Sequence, residues 1–159
     1  MPEANSPAPL LLTHPREGDT VSFVWHGDRF VHTVRLGSFS VASESADSDP
    51  TWPTSPPIQQ LSIETLGGHP VALGVGGAGQ SHWSLSVEPT TDGFLFDCAC
   101  RVKQQPGWLG SSYPTQPGLS ILAHDGSVIR QDEAGVRIEP SPVLSDAGTY
   151  RWKYEIRPS

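Results

Sequence analysis

Three residue types capable of hydrolytic chemistry fall close together in one stretch of the chain: His82, Ser84 and Asp97. A serine nucleophile, a histidine base and a carboxylate that orients the base form a triad when their side chains converge. His82 and Ser84 are two apart, so on a strand both point to one face. Pro89-Thr90-Thr91-Asp92-Gly93 supplies a turn, after which the alternating segment 94–102 runs back alongside. Pairing Val87 with Phe94 sets Ser84 opposite Asp97, with His82 on the same outward face. No nucleophile elbow or oxyanion loop accompanies the trio. Serine, histidine and aspartate are also ordinary occupants of a solvated strand, so a hydrolase is the alternative expectation and a binding protein the leading one.

The opposite face of this hairpin is apolar. Trp83, Leu85 and Val87 share it with Phe94, Phe96, Cys98, Cys100 and Val102. A one-residue slip would turn one apolar row towards water, which fixes the parity of the pairing. Cys98 and Cys100 lie two apart on one strand, their Cα atoms about 6.5–7 Å from each other, at the limit for an unstrained disulfide. They are expected as buried free thiols of a reduced, cytoplasmic protein. A metal-dependent enzyme would need His82, His69 or His124 beside a carboxylate. No H-x-H or H-x-x-x-H spacing and no second cysteine pair supports one, so neither metal nor cofactor is expected.

A second set of residues suits binding. GVGGAG, from Gly74 to Gly79, matches the letters of the dinucleotide fingerprint, but that motif requires a helix to follow it. QSHWSLSVE follows instead, with a period of two, which excludes the nucleotide reading. Such a run can bend a sheet, form a bulge, or let a ligand or partner approach the backbone at Gly76, Gly77 and Gly79. The segment Lys103–Gly118 reads as a long loop carrying Trp108 and Tyr113, either a cover over one end of the domain or a wall of a site. Trp52 stands alone among the polar residues of Ser43–Pro57, and anchoring that loop is its expected use. His32 is the one polar member of an otherwise apolar strand face, a core histidine or a residue lining a pocket.

The elements that must position these groups are strands. The chain has 159 residues, enough for one domain with a core, and 16 Gly with 16 Pro favour short strands joined by turns over helices. Asp19–Leu36 reads as a hairpin turning at Gly27-Asp28, with Trp25 opposite Phe30, Phe23 opposite His32 and Val21 opposite Val34. Ile58–Leu66, the segment from Val71 and Val136–Glu139 read as further strands. Leu119–Gln131 reads as a hairpin about Asp125-Gly126. Thr149–Arg157 turns Tyr150, Trp152, Tyr154 and Ile156 inward and four charges outward, which suits a solvent-facing or edge strand. Residues 1–17 are expected to be irregular, and Ser43–Pro57 a mobile acidic loop.

LSDAGTYRW, Leu144 to Trp152, resembles the D-x-G-x-Y corner that opens the penultimate strand of immunoglobulin-like domains. The resemblance implies that the Tyr150 hydroxyl is tied to upstream backbone. It covers nine residues, Trp152 stands where that family's second cysteine would be, and it implies a sandwich corner and no activity.

Together these readings give a single all-β domain over 1–159, an antiparallel sandwich or closed barrel of about nine or ten strands with little or no helix. The formal charge of −7, from 10 basic and 17 acidic residues, argues against nucleic acid or an anionic membrane as the main partner. The start, MPEANSPAPLLLTHP, lacks the basic region of a signal peptide. The leading expectation is a soluble, non-catalytic module that binds a small molecule, a glycan or a protein. The alternatives are the hydrolase or metal-dependent enzyme above, and a structural subunit that forms a homo-oligomer through its edge strands.

Overall fold

The period-two pattern is realised as thirteen strands and no helix among the described residues, which in this computed structural model are 6–44, 49–141 and 145–159. Expectations that fall on 1–5, on 45–48 of the acidic loop and on Leu144 lie outside them. In chain order the first four strands are β1 (Leu10–Thr13), β2 (Thr20–His26), β3 (Arg29–Leu36) and β4 (Phe39–Ala42). Then come β5 (Gln60–Leu66), β6 (His69–Ala78), β7 (Ser81–Pro89), β8 (Phe94–Val102) and β9 (Ser111–Tyr113). The last are β10 (Leu119–His124), β11 (Val128–Asp132), β12 (Gly135–Glu139) and β13 (Gly148–Pro158).

They form three antiparallel sheets, ordered β1-β2-β3-β4, β10-β13-β8-β7-β6-β5 and β11-β12-β9. No sheet closes on itself, so the architecture is sandwich-like and not a barrel. The core draws on all three sheets. Leu12, Val21, Phe23 and Val34 come from the first, Phe94, Phe96, Trp152, Tyr154 and Ile156 from the second, Tyr113 and Ile138 from the third. Each is at most 1% exposed, which is what alternation with one face turned inward produces.

The β2–β3 hairpin pairs Trp25 with Phe30, Phe23 with His32 and Val21 with Val34, as its apolar face demands. The β7–β8 hairpin keeps its expected parity but is shifted by two residues. Val87 faces Phe96, Leu85 faces Cys98 and Trp83 faces Cys100. The cause is the turn. Pro89 still pairs with Phe94, leaving Thr90–Gly93 as the loop, closed by a 2.8 Å bond from Thr90 N–H to the Gly93 carbonyl. Gly93 is required there: a Cβ would sit 2.0 Å from the Ile156 carbonyl oxygen.

Several expectations are corrected. The strand count exceeds nine or ten because β1, β4 and β9 have only four, four and three residues, too few to show alternation. β1 lies inside the segment expected to be irregular, paired to β2 through the Leu10–Thr13 run. β9 interrupts the loop expected over 103–118. β13 is no edge strand, for it lies between β10 and β8. Its outward charges lie on the outer face of the sheet, which is the solvent-facing alternative of that expectation. Asp125-Gly126 does make a tight turn, with φ of 52° and 81°, but β10 pairs with β13 and β11 with β12, so the chain turns there from one sheet into another. In Ser43–Pro57, the segment expected to be mobile is packed where it is described: Pro53, Ser55, Pro56 and Pro57 are buried. Free cysteines, both fully buried, stand at 98 and 100. Burial pushes each thiol up to about 12.

Candidate functional site

Inward and outward faces of the six-stranded sheet divide the candidate residues. On the inward side His32 is 7% exposed and lies against the rings of Phe23, Phe96 and Tyr113. Its Nε2 is 2.6 Å from the Tyr113 hydroxyl, which is itself 2.6 Å from the Tyr154 hydroxyl. Burial holds the imidazole down at about 4, so it is neutral, and raises both phenols well above their usual value. The cavity beside it, bounded by Phe23, Phe30, Ser55 and Tyr154, is about 10 Å³, room for a single water. Trp152 Nε1 donates to Ser111 Oγ at 2.9 Å, and among the buried polar side-chain atoms of the described residues Ser112 Oγ alone lacks a partner.

The glycine run forms the C-terminal half of β6. Gly74 and Gly76 face inward, and the close approach that the run permits is used by the chain itself. A Cβ at Gly76 would lie 1.7 Å from the Pro57 carbonyl oxygen, and one at Gly79 would lie 2.8 Å from Thr51 Cγ2. Gln59 clamps the crossing, its backbone N–H donating to the Val75 carbonyl and its side chain bonding both N–H and C=O of Gly77. Trp52 packs on Gly107, and a Cβ there would meet its ring at 2.5 Å. Trp108 donates from Nε1 to Glu139 at 2.8 Å. Leu109 and Tyr113 are core residues, so this segment packs into the interior.

The outward face gathers the other candidates. One row crosses five strands: Gln60, Val75, Ser84, Ala99 and Arg151 are successive cross-strand partners. A second row runs Gly77, His82, Arg101 and Thr149, and a third Ser62, Leu73, Ser86, Asp97 and Lys153. The first row is the shared floor of two confluent depressions of about 520 and 690 Å³. Strand spacing makes the row about 19 Å long. Its middle lies low because Ser84 and Ala99 are small. Leu73 and Val75, 38% and 49% exposed, rise on one side, and the arginines on the other. This face was legible in the sequence as the outward half of the alternation, but β6 and β13 were not recognisable as the strands that flank it.

The two-residue shift separates the hydrolytic trio. Ser84 faces Ala99, Asp97 faces Ser86 and His82 faces Arg101. His82 then stands four residue steps along the strand from the level of Asp97, roughly 13 Å, too far for a base and its orienting acid. Of the histidines weighed for a metal, His69 meets Glu88 at 3.3 Å and His124 meets Glu155 at 3.5 Å. No cluster of three metal-binding side chains occurs among the described residues. Arg101 and Arg151 are exposed, and neither belongs to any ion pair among the described residues. Comparison with known proteins gives no match to a family model, a curated protein or a solved structure.

Proposed function

We propose that the chain is a non-catalytic binding module whose ligand lies across the outward face of the six-stranded sheet. The observation that carries this is the open five-strand row Gln60–Val75–Ser84–Ala99–Arg151, floored by small side chains and walled by long ones. A rigid sheet presents such a row without loop rearrangement, and its mix of amide, hydroxyl, aliphatic and guanidinium groups suits recognition better than bond cleavage. The ligand surface moves accordingly from the glycine run, Trp108, Tyr113 and His32 to this face, with Gly77 the member common to both. Native mass spectrometry of protein purified gently from its own host's lysate tests the reading, combined with amide chemical shifts of the loaded and stripped forms. Retained mass with shifts confined to 60–62, 73–77, 82–86, 97–101 and 149–153 supports it. Shifts centred on the core or on the first sheet would move the site elsewhere.

A further inference from the structure

Arg101 and Arg151 stand on adjacent strands. Arg101 pairs with Thr149, two residues before Arg151, so the two arginines are diagonal neighbours on one face. Such positions are about 7–8 Å apart, within mutual reach of long side chains. His82 is directly opposite Arg101. Two like charges held this close on a folded surface, with no carboxylate paired to either among the described residues, make a local positive patch on a chain of net charge −7. Asp97 is the other diagonal neighbour of Arg151 and lies opposite Lys153, whose ammonium pairs with Asp125 at 3.4 Å. Asp97 forms no ion pair with either arginine among the described residues, so the patch is bounded by this acid on one side.

Resting on the binding reading above, we infer that the ligand is an acidic oligosaccharide, its uronate carboxylate held between the guanidinium groups of Arg101 and Arg151. A guanidinium matches a carboxylate with two parallel hydrogen bonds. The rest of the face selects a sugar chain over an acidic peptide. Every strand here is interior to the ladder except β5, so the sheet's backbone donors and acceptors under the row are already used. An extended peptide laid on it would find no sheet partners for its own N–H and C=O groups, and each one left buried without a partner opposes binding. A sugar chain instead presents hydroxyls, which Ser62, Ser84, Ser86, Gln60 and Thr149 can meet by side chain or through water. No Phe, Tyr or Trp lies on these rows and His82 is their one ring, so grip is mainly polar and ionic. The net negative charge of the protein repels densely charged polyanions and leaves a ligand with one carboxylate per ring as the better fit.

The test uses the full chain and three probes: tetragalacturonate, its fully methyl-esterified counterpart and tetraglutamate, followed by calorimetry and amide chemical shifts. The inference expects tetragalacturonate to shift amides on 82–86, 97–101 and 149–153, with affinity falling as salt rises. It expects the ester and the peptide to bind at least tenfold more weakly. Arg101→Gln and Arg151→Gln, each at an exposed position that leaves the core untouched, should each weaken tetragalacturonate binding about tenfold or more with unchanged thermal stability. Equal binding of ester and acid at these amides would overturn the acidic ligand while leaving the face as the site. Tighter binding of tetraglutamate would overturn the sugar. Shifts from no probe on this face, or binding indifferent to both arginine changes, would overturn the inference outright, and the lysate experiment then decides the face independently.

Discussion

The His32 imidazole, on β3 of the first sheet, meets the Tyr113 hydroxyl, on β9 of the third, at 2.6 Å in the middle of the core. Because Tyr113 passes the contact on to Tyr154 of β13, one chain of hydrogen bonds joins all three sheets. Its members are nearly or fully inaccessible to bulk water, so the substitutes within reach of a broken bond are few: Ser111 and the single-water cavity beside His32 and Tyr154.

Replacing Tyr113 with phenylalanine removes the central hydroxyl while keeping the ring. His32 Nε2 and the Tyr154 hydroxyl both lose a partner, for a cost of about 2–6 kcal/mol at roughly 1–3 kcal/mol per unsatisfied group. Urea unfolding measures it. A change below half a kcal/mol would show the network to be incidental.

Acid should weaken the fold through His32. Its folded value of about 4 lies below the 6.5 of an exposed imidazole. Between those values the unfolded chain binds a proton that the folded chain refuses. The stabilisation is therefore whole above pH 6.5 and is lost as the pH falls towards 4. Between pH 7.5 and 4.5 the loss attributable to this residue is about 2–3 kcal/mol. Comparing wild type with His32→Gln isolates it, since the other five histidines are common to both. Parallel pH profiles for the two proteins would sink the assignment.

The crossing of 57–59 over the glycine run predicts a contrast. Gly76→Ala would drive a methyl into the Pro57 carbonyl, which only movement of one backbone can relieve, for about 1–3 kcal/mol. Amide exchange at Gln59 and Gly77 should quicken with it. Gly77→Ala faces outward, where the nearest atom is the Ser81 carbonyl oxygen at 3.2 Å, and should cost less. Equal costs would mean that the crossing is not held as described.

Tyr150 gives a test of the corner. Its hydroxyl donates to the Asp146 carbonyl at 2.7 Å and accepts from the N–H groups of Ser145 and Asp146 at 3.3 and 3.2 Å. Tyr150→Phe should cost about 1 kcal/mol at this half-exposed position. A neutral result in thermal unfolding would show that water replaces those bonds.

Neither thiol should react while the protein is folded. Cys98 and Cys100 are fully buried, and burial pushes both up to about 12. Iodoacetamide at pH 8 should add no mass to the native chain and two adducts after denaturation. Modification of the native protein would show that β8 opens.

Much of the fold was legible because alternation survives wherever a strand is long. The β2–β3 pairing follows from its apolar face and a two-residue turn, and Trp152, Tyr154 and Ile156 were identifiable as inward residues by parity alone. Tyr150's tie to upstream backbone followed from a local motif. What parity cannot supply is the partner of a strand or its offset by two. Both offsets of β7 on β8 bury the same residues, so the sequence left the His82, Ser84 and Asp97 geometry undetermined until Pro89 was seen to pair with Phe94. One flank of the face came from β13, more than 40 residues beyond β8 in the chain and expected as a solvent-facing or edge strand with no partner assigned. The glycines pointed correctly to close backbone approach, but the segment that approaches is a proline-rich stretch whose composition resembles a free loop.

The Thr90–Gly93 turn has an evolutionary consequence. Lengthening or shortening it by two residues would slide β7 along β8 by one full repeat, keeping every inward side chain inward. The interior would see familiar neighbours of familiar size, whereas on the exterior each serine, histidine and arginine would acquire a new companion. A single loop edit can thus reshuffle the outward face while sparing the core, and the chain carries a built-in route to new surface chemistry that does not pass through an unfolded ancestor.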